Sequence, residues 1–205
     1  MSINEMEAKV DRRVKRTRKM ILDAFCELRA AKDFNSITVQ DIAERADINR
    51  ATFYLHYVDK YALLTESVRE ALREMLNERL PESEILTMTN LQLLTIAVGE
   101  FMAQFSGTCY PSTRTEDHPM TLIITQVQQY LEEILLAWIK RSQQHSAASK
   151  PVSPEEAASA LSWVIFGTAF PPPNRDRNLR LEARVEQTLA FLAPSLEVYL
   201  EELSR

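Results

Sequence analysis

Between Asn49 and Lys60 the chain reads NRATFYLHYVDK. Arg50, Thr52, Tyr54, His56 and Lys60 all carry side-chain donors. A guanidinium can give two parallel hydrogen bonds to one pair of acceptors. A phenol, an imidazole and an ammonium each suit an anionic oxygen. Phe53, Tyr54 and Tyr57 interleave with these donors. A buried core has little use for so many polar tips, and an ordinary solvent face has little use for so many rings. The stretch therefore suits a surface that packs on one side and offers donors on the other.

Catalytic chemistry finds little to work with. The three histidines are His56, His118 and His145. No glycine-rich phosphate loop, nucleophile elbow or zinc spacing occurs. No second His, Cys or acid stands at ligand spacing from His56, so no metal is expected. Adjacent acids such as Glu132-Glu133 and Glu201-Glu202 point apart on a helix and read as solvated faces. Neither an enzyme nor a cofactor-dependent protein is expected.

The 205 residues suffice for a core without staples. There are only three glycines, the first at Gly99, and the chain is rich in Ala, Leu, Glu and Arg. Helices tolerate that scarcity; hairpins do not. An all-α fold is expected. Cys26 and Cys109, the two cysteines, read as reduced, buried thiols rather than a disulfide framework. The first residues form no apolar signal segment, and the longest apolar stretch, Ala160 to Phe170, is too short to span a bilayer. A soluble, cytoplasmic protein with no membrane partner is expected.

The net charge of −5 hides an asymmetry. Residues 1–60 carry twelve Lys/Arg against ten Asp/Glu, whereas residues 61–205 carry twelve against nineteen. Lys9 to Lys19 alone holds seven cations and one acid. A small basic head sits on a larger acidic body.

The periodicity places these residues on helices. A first helix is expected over about Asp11 to Ala31, with Val14, Ile21, Phe25 and Leu28 on its inner face. Thr38 followed by Asp41 opens a short second helix as a capping box, with Val39, Ile42 and Ala43 turned inward. Asp47-Ile48-Asn49 makes the sharp turn, because Asp and Asn tolerate the left-handed conformation. Asn49 caps a third helix from Arg50 to about His56 by accepting the amide of Ala51 or Thr52. Asp59 caps a long fourth helix striped by Tyr61, Leu64, Val68, Leu72 and Leu76, ending before Pro81. Further helices are expected at about 90–105, from Pro119 to His145, over 154–170, and from about Leu179 to Leu203, where Pro194 should kink or divide the last.

Two short helices joined by a tight turn and flanked by longer ones make a helix-turn-helix, with the motif at about 37–56. The segment ITVQDIAERADINRATFYLHYVDKYALL resembles the N-terminal domain of TetR/AcrR-type transcriptional regulators. The resemblance rests on Thr38, Ile42-Ala43, Ala46, Thr52, Phe53-Tyr54, His56-Tyr57, Lys60 and Leu63-Leu64, and covers roughly residues 12–66. The family usually has glycine in the turn where this chain has Asp47. The expected organisation is a DNA-binding domain over 1–60 and a helical ligand-binding and dimerisation domain over 61–205.

On this reading Arg50 enters the major groove and reads guanine. Ala51 and Thr52 let the backbone approach and can touch a thymine methyl. The resemblance makes Tyr54, His56 and Lys60 a phosphate clamp, with Thr38 adding a contact at its helix start. Arg16 and Arg18 approach the backbone nonspecifically. The partner implied is a pseudo-palindromic double-stranded DNA operator, bound by a homodimer that a small ligand releases. Ala157, Ala158, Leu161, Val164, Ile165 and Thr168, with Leu189, Leu192, Leu196 and Tyr199, offer the dimer faces. Phe101, Met102, Phe105, Trp138, Trp163 and Phe166 could line a pocket for an apolar or neutral ligand. The alternative is a helical regulatory module acting through protein contacts alone.

Overall fold

The computed structural model describes residues 3–80, 85–104, 119–143, 152–170 and 179–200. Among them lie eight α-helices, one 3-10 turn and no strand: α1 (Ile3–Ala31), the turn Phe34–Ser36, α2 (Val39–Arg45), α3 (Arg50–Tyr54), α4 (Lys60–Arg79), α5 (Met88–Ala103), α6 (Pro119–Gln143), α7 (Pro154–Ala169) and α8 (Leu181–Leu200). The chain divides into two compact units. The first comprises residues 1–68 with 121–123, the second 69–120 with 124–205.

The first unit is built on aromatic and branched side chains. Ile21 and Phe25 of α1, Ile37, Ile42 of α2, Phe53 of α3, and Leu63 and Leu64 of α4 are at most 1% exposed. Phe34 stands edge-on to Phe25 at 6.2 Å and to Tyr61 at 5.3 Å. The inner face of α1 begins later than the spacing suggested. Val14 is 40% exposed, and the buried residues described on α1 begin at Ile21. Cys26 is exposed rather than buried, since Phe25 beside it takes the inward direction; Cys109 lies outside the described residues.

Local caps set the helix boundaries. Thr38 Oγ1 accepts the amide of Asp41 at 3.1 Å, and Asp41 Oδ2 accepts the amide of Thr38 at 2.7 Å, completing the capping box. At the other end of α2 the amide of Ile48 reaches the carbonyl of Ala43 at 3.0 Å, and that of Asp47 reaches Glu44 at 3.2 Å. This crossed pair is a Schellman ending, which needs a left-handed residue between α2 and Asn49. Asp47 supplies it at φ 53°, the one non-glycine with positive φ among the described residues. Asn49 Oδ1 accepts the amide of Thr52 at 2.8 Å and starts α3. Asp59 Oδ1 accepts the amides of Tyr61 and Ala62 at 2.9 and 2.8 Å and starts α4.

In the second unit α5 packs on α7 and α8, and α7 packs on α8. Gly99 of α5 lies so close to Leu181 that a Cβ there would stand 2.5 Å from Leu181 Cδ2. Arg69 forks onto Glu133, Arg79 pairs with Glu100, and Lys140 holds Glu155 at 2.8 Å. Gln128 of α6 donates to Ser162 of α7 at 2.8 Å inside the core. Pro194 does not divide α8, which runs on to Leu200. Pro194 and Ala190, whose carbonyl loses its partner, are both exposed, so water can take the missing bond.

The left-handed turn gives a direct test. Asp47→Val should lower the unfolding free energy by roughly 1–2 kcal/mol, the usual strain of a side-chain-bearing residue in this conformation. Asp47→Gly should leave it equal or slightly higher. Urea denaturation of the three proteins would show the ranking, and equal stability of the valine variant would exclude a constrained turn.

Candidate nucleic-acid interface

α3 has only five residues and could not persist alone in water. Its buried side holds it. Phe53 is fully buried, 5.8 Å from the ring of Tyr57, which is itself 4% exposed. Backbone bonds continue past the formal end, with the amides of His56 and Tyr57 both reaching the carbonyl of Phe53. The opposite side of this turn is open. Arg50 and Ala51 are exposed, Tyr54 is 48% exposed, and Leu55 83%. Arg50 leans on Tyr54, with its guanidinium 5.9 Å from the ring centre and Nη2 3.4 Å from the phenol oxygen. Thr52 is half-buried and donates its hydroxyl to Asn49 Oδ1 at 3.1 Å. Arg50, Ala51 and Tyr54 thus share one outward surface, as their spacing implied.

Three other residues expected at this surface have internal partners. Lys60 Nζ donates to the carbonyls of Phe34, Asn35 and Ile37 at 3.0, 3.2 and 2.8 Å. All three N–H groups of the ammonium are therefore spent inside the fold, and it also lies over the rings of Phe34 and Tyr61. Burial holds its pKa below the ordinary lysine value, against the pull of Asp33 and Asp41. Lys60 is a tie between α4 and the loop after α1. A phosphate would have to compete with three carbonyls for it.

Arg18 is the second. It pairs with Glu66 of α4, stacks 4.8 Å over the ring of Tyr57, and points Nη1 at the carbonyl of His56. It closes α1 onto the end of α3 and the start of α4 instead of standing free, whereas Arg16 is exposed. Thr38 is the third. Its hydroxyl donates to Asp41 Oδ2 at 2.7 Å, and the same carboxylate takes Lys32 at 2.9 Å. The Thr38 backbone bond, then Lys32 and the hydroxyl, pull the Asp41 carboxyl down to about 2. An anion approaching Thr38 would meet that ionised group.

Sequence periodicity gave no sign of Leu55 or of Val58, which is 79% exposed. The surviving hint was negative: neither falls on an apolar stripe. His56 is half-buried beside Arg18. Burial, and then the charge of Arg18, lower its pKa from 6.5.

The second unit redistributes the expected pocket and dimer residues. Phe101, Met102, Trp138 and Phe166 are buried core, whereas Trp163 is 59% exposed; Phe105 lies outside the described residues. Ala158, Leu161, Ile165, Thr168, Leu189 and Leu196 are buried within the unit, so they serve its own packing. Ala157, Val164 and Leu192 are half-buried, and the side chain of Tyr199 lies outside the described residues. A cavity of about 420 Å³ does exist, but its walls are Leu86 and Ile139 with Ala157, Leu161, Val164, Leu192 and Leu196. Residues read as a dimer face thus line a groove, and the aromatic set does not. Among the described residues no helix is long and apolar enough to cross a membrane.

Three comparisons bear on these features. Residues 21–66 match the family model described as bacterial regulatory proteins, tetR family. The chain is 40% identical over 74 residues to YxbF of Bacillus subtilis (strain 168), an uncharacterised HTH-type transcriptional regulator. That match spans 36% of this chain and only 20% of the relative. Among solved structures it is similar to a TetR transcriptional regulator from Streptococcus agalactiae 2603V, with 20% identity, 91% of this chain and 98% of that one covered, and a TM-score of 0.52. It is also similar to the TetR family repressor AlkX of Dietzia sp. strain DQ12-45-1b, with 20% identity, 88% and 96% covered, and a TM-score of 0.51. At these identities the structures speak for the fold.

The Arg18–His56 contact is open to titration. The folded His56 pKa lies below 6.5, so protonation favours the unfolded chain, and stability should fall as pH drops through that value. Arg18→Met removes one of the two causes and should raise the His56 pKa. Imidazole NMR titration would read the shift; an unchanged value in the variant would discount the influence of Arg18.

Proposed function

We propose, on the match of residues 21–66 to the tetR family of bacterial regulatory proteins, that the chain is a sequence-specific DNA-binding transcriptional regulator of that family acting as a dimer. One observation carries the reading: α3 buries Phe53 and turns Arg50, Ala51 and Tyr54 outward together. A short helix held only by its inner face, with a guanidinium in its first turn, suits the major groove. Arg50 reads a guanine edge, braced by Tyr54. Tyr54 and His56 meet phosphate. Arg16 and its exposed basic neighbours on α1, Arg13 and Lys19, supply attraction without sequence preference. Lys60, Arg18 and Thr38 act behind this surface by fixing the helices that carry it.

The second unit holds the dimer contact and the ligand. The contact face is assigned to the apolar residues left outside. These are Trp163 on α7, 59% exposed, and Phe191 on α8, 83% exposed. Two helices from each subunit would meet there as a four-helix interface. The ligand is small and apolar or neutral, since the described groove is lined almost wholly by aliphatic side chains. α4 links the two activities. It is one helix from Lys60 to Arg79 without glycine or proline. Its start is tied by Lys60, and its later turns are tied by Arg69 to Glu133 and by Arg79 to Glu100. A ligand that shifts α5 or α6 would turn α4 and release the operator, so the regulator is a repressor on this reading. The energy of release equals the ligand's preference for the released state.

Selection of bound duplexes from a random pool tests the reading. Pseudo-palindromic sites should emerge, with half-sites roughly 34–36 Å apart or a multiple of that spacing. Affinity should fall steeply with salt. Arg50→Ala should relax preference at one symmetric position by about 1–3 kcal/mol per half-site. A uniform loss on every sequence would remove Arg50 from base readout. A regulator acting only through protein contacts would recover no site and show no such salt slope.

The dimer face has its own test. Trp163→Glu places a charge on the proposed contact and should yield a folded monomer in sedimentation, with weakened operator binding. A dimer unchanged by both Trp163→Glu and Phe191→Glu would place the contact elsewhere.

A further inference from the structure

We propose that Leu55 is a specificity-determining residue that reads the C5-methyl group of a thymine beside the base read by Arg50. The inference rests on the assignment of α3 to the major groove.

Leu55 is 83% exposed, and nothing among the described residues of its domain covers it. It is nevertheless held in place. Its backbone is still helical, with φ −72° and ψ −20°, and its amide reaches the carbonyl of Ala51 at 3.2 Å. Leu55 therefore stands one turn above Ala51 on the same side of α3. Arg50 and Tyr54 form a second column with the same spacing, shown by their own contact at 3.4 Å. The two columns are neighbours, because successive helical residues differ by about 100°. Opposite them Phe53 is buried.

The open surface of α3 thus has two chemistries. One column carries a guanidinium braced by a phenol. The other carries only aliphatic groups, a methyl at Ala51 and an isobutyl at Leu55. Base edges in the major groove offer two matching features. Guanine presents a pair of acceptors, and thymine presents a methyl group. No hydrogen bond is available to Leu55, so it can discriminate only by covering apolar surface. An exposed leucine is unremarkable by itself. Here it shares a helix face with the exposed Ala51, next to the one arginine of α3, on the surface assigned to DNA.

The experiment uses the full chain and a duplex recovered by selection from a random pool. Each thymine of the half-site is replaced in turn by deoxyuridine, which removes one methyl and alters no hydrogen-bonding group. Burial of one methyl corresponds to roughly a three- to four-fold change in affinity per half-site. Wild type should lose about that factor at one symmetric thymine. Leu55→Ala should bind the thymine duplex more weakly by at least as much, and should no longer distinguish deoxyuridine at that position. Its salt slope should be unchanged, since no ionic contact is removed. Because Leu55 supports no buried packing, the variant should keep the wild-type denaturation curve.

Three results would overturn the proposal: tight binding indifferent to every deoxyuridine replacement, undiminished deoxyuridine sensitivity in Leu55→Ala, or an equal loss by Leu55→Ala on all duplexes. Failure to recover any duplex would instead defeat the DNA-binding reading and this inference with it.

Discussion

Three carbonyl oxygens, from Phe34, Asn35 and Ile37, converge on the ammonium of Lys60. Much of the first unit depends on that knot. It fixes the first residue of α4 against the loop that connects α1 to α2, over a separation of 23 to 26 residues. The loop is short and turns on Asp33, whose side chain accepts the amide of Asn35. The Phe34 carbonyl also takes the amide of Ile37 at 3.1 Å, and the ammonium brings a further donor to it and to the carbonyls of Asn35 and Ile37. Lysine suits the position because a compact ammonium offers three donors that can diverge, where a planar guanidinium offers a fork. Its desolvation is offset by the carbonyls and by the faces of Phe34 and Tyr61. A single half-buried cation thereby ties the start of α4 to the loop that precedes α2.

From that anchor the outer helices are positioned by short-range devices. α2 and α3 have seven and five residues, too few to be stable by propensity. Each is started by a side-chain cap instead, and α2 is closed at its end as well. The capping box of Thr38 and Asp41, the Schellman ending at Asp47, and the Asn49 cap follow one another within twelve residues. Arg18 adds the long-range clamp, joining α1 to Glu66 and Tyr57. Because the backbone is held by caps and by one inward ring, the outward side chains of α3 have no structural duty. That freedom is what a reading surface requires, since its residues can then be chosen by the ligand rather than by the fold.

This division explains what could be read in the sequence. The caps at Thr38, Asn49 and Asp59 and the left-handed Asp47 were legible because donor and acceptor lie two or three residues apart. The helix order was legible from apolar spacing for the same reason. The internal ties of Lys60 and Arg18 were not legible because their partners lie 23 to 48 residues away, and a cation's sequence neighbourhood does not say which way it points. Apolar spacing failed differently in the second unit. It marked Ala158, Leu161 and Ile165 as a face needing cover, and they have it from within the unit. Periodicity tells which side of a helix is buried, but not whether its own chain or another does the burying. Trp163 was read as a pocket residue and Phe191 was not singled out, since exposure is a tertiary fact. Leu55 escaped it because a lone leucine off the stripe carries no periodic signal.

Charge shows the same limit. Counting residues suggested a basic head of residues 1–60, yet a count treats every cation as available. Lys60 is spent on carbonyls, Lys32 on Asp41, Arg18 on Glu66 and Arg45 on Glu27. What an approaching polyanion meets is the exposed stretch of α1 and the guanidinium of Arg50. These play different parts. The cations on α1 are spread along a helix with no shared geometry, so they can raise local concentration and set salt dependence without choosing a sequence. Arg50 is held at the start of a capped helix and braced by Tyr54, so its fork has a defined direction. On the proposed reading, attraction and discrimination are carried by separate elements, and the internal ion pairs keep the two apart. They would remove from the surface those cations that could hold any duplex equally well, leaving the choice among duplexes to the open face of α3.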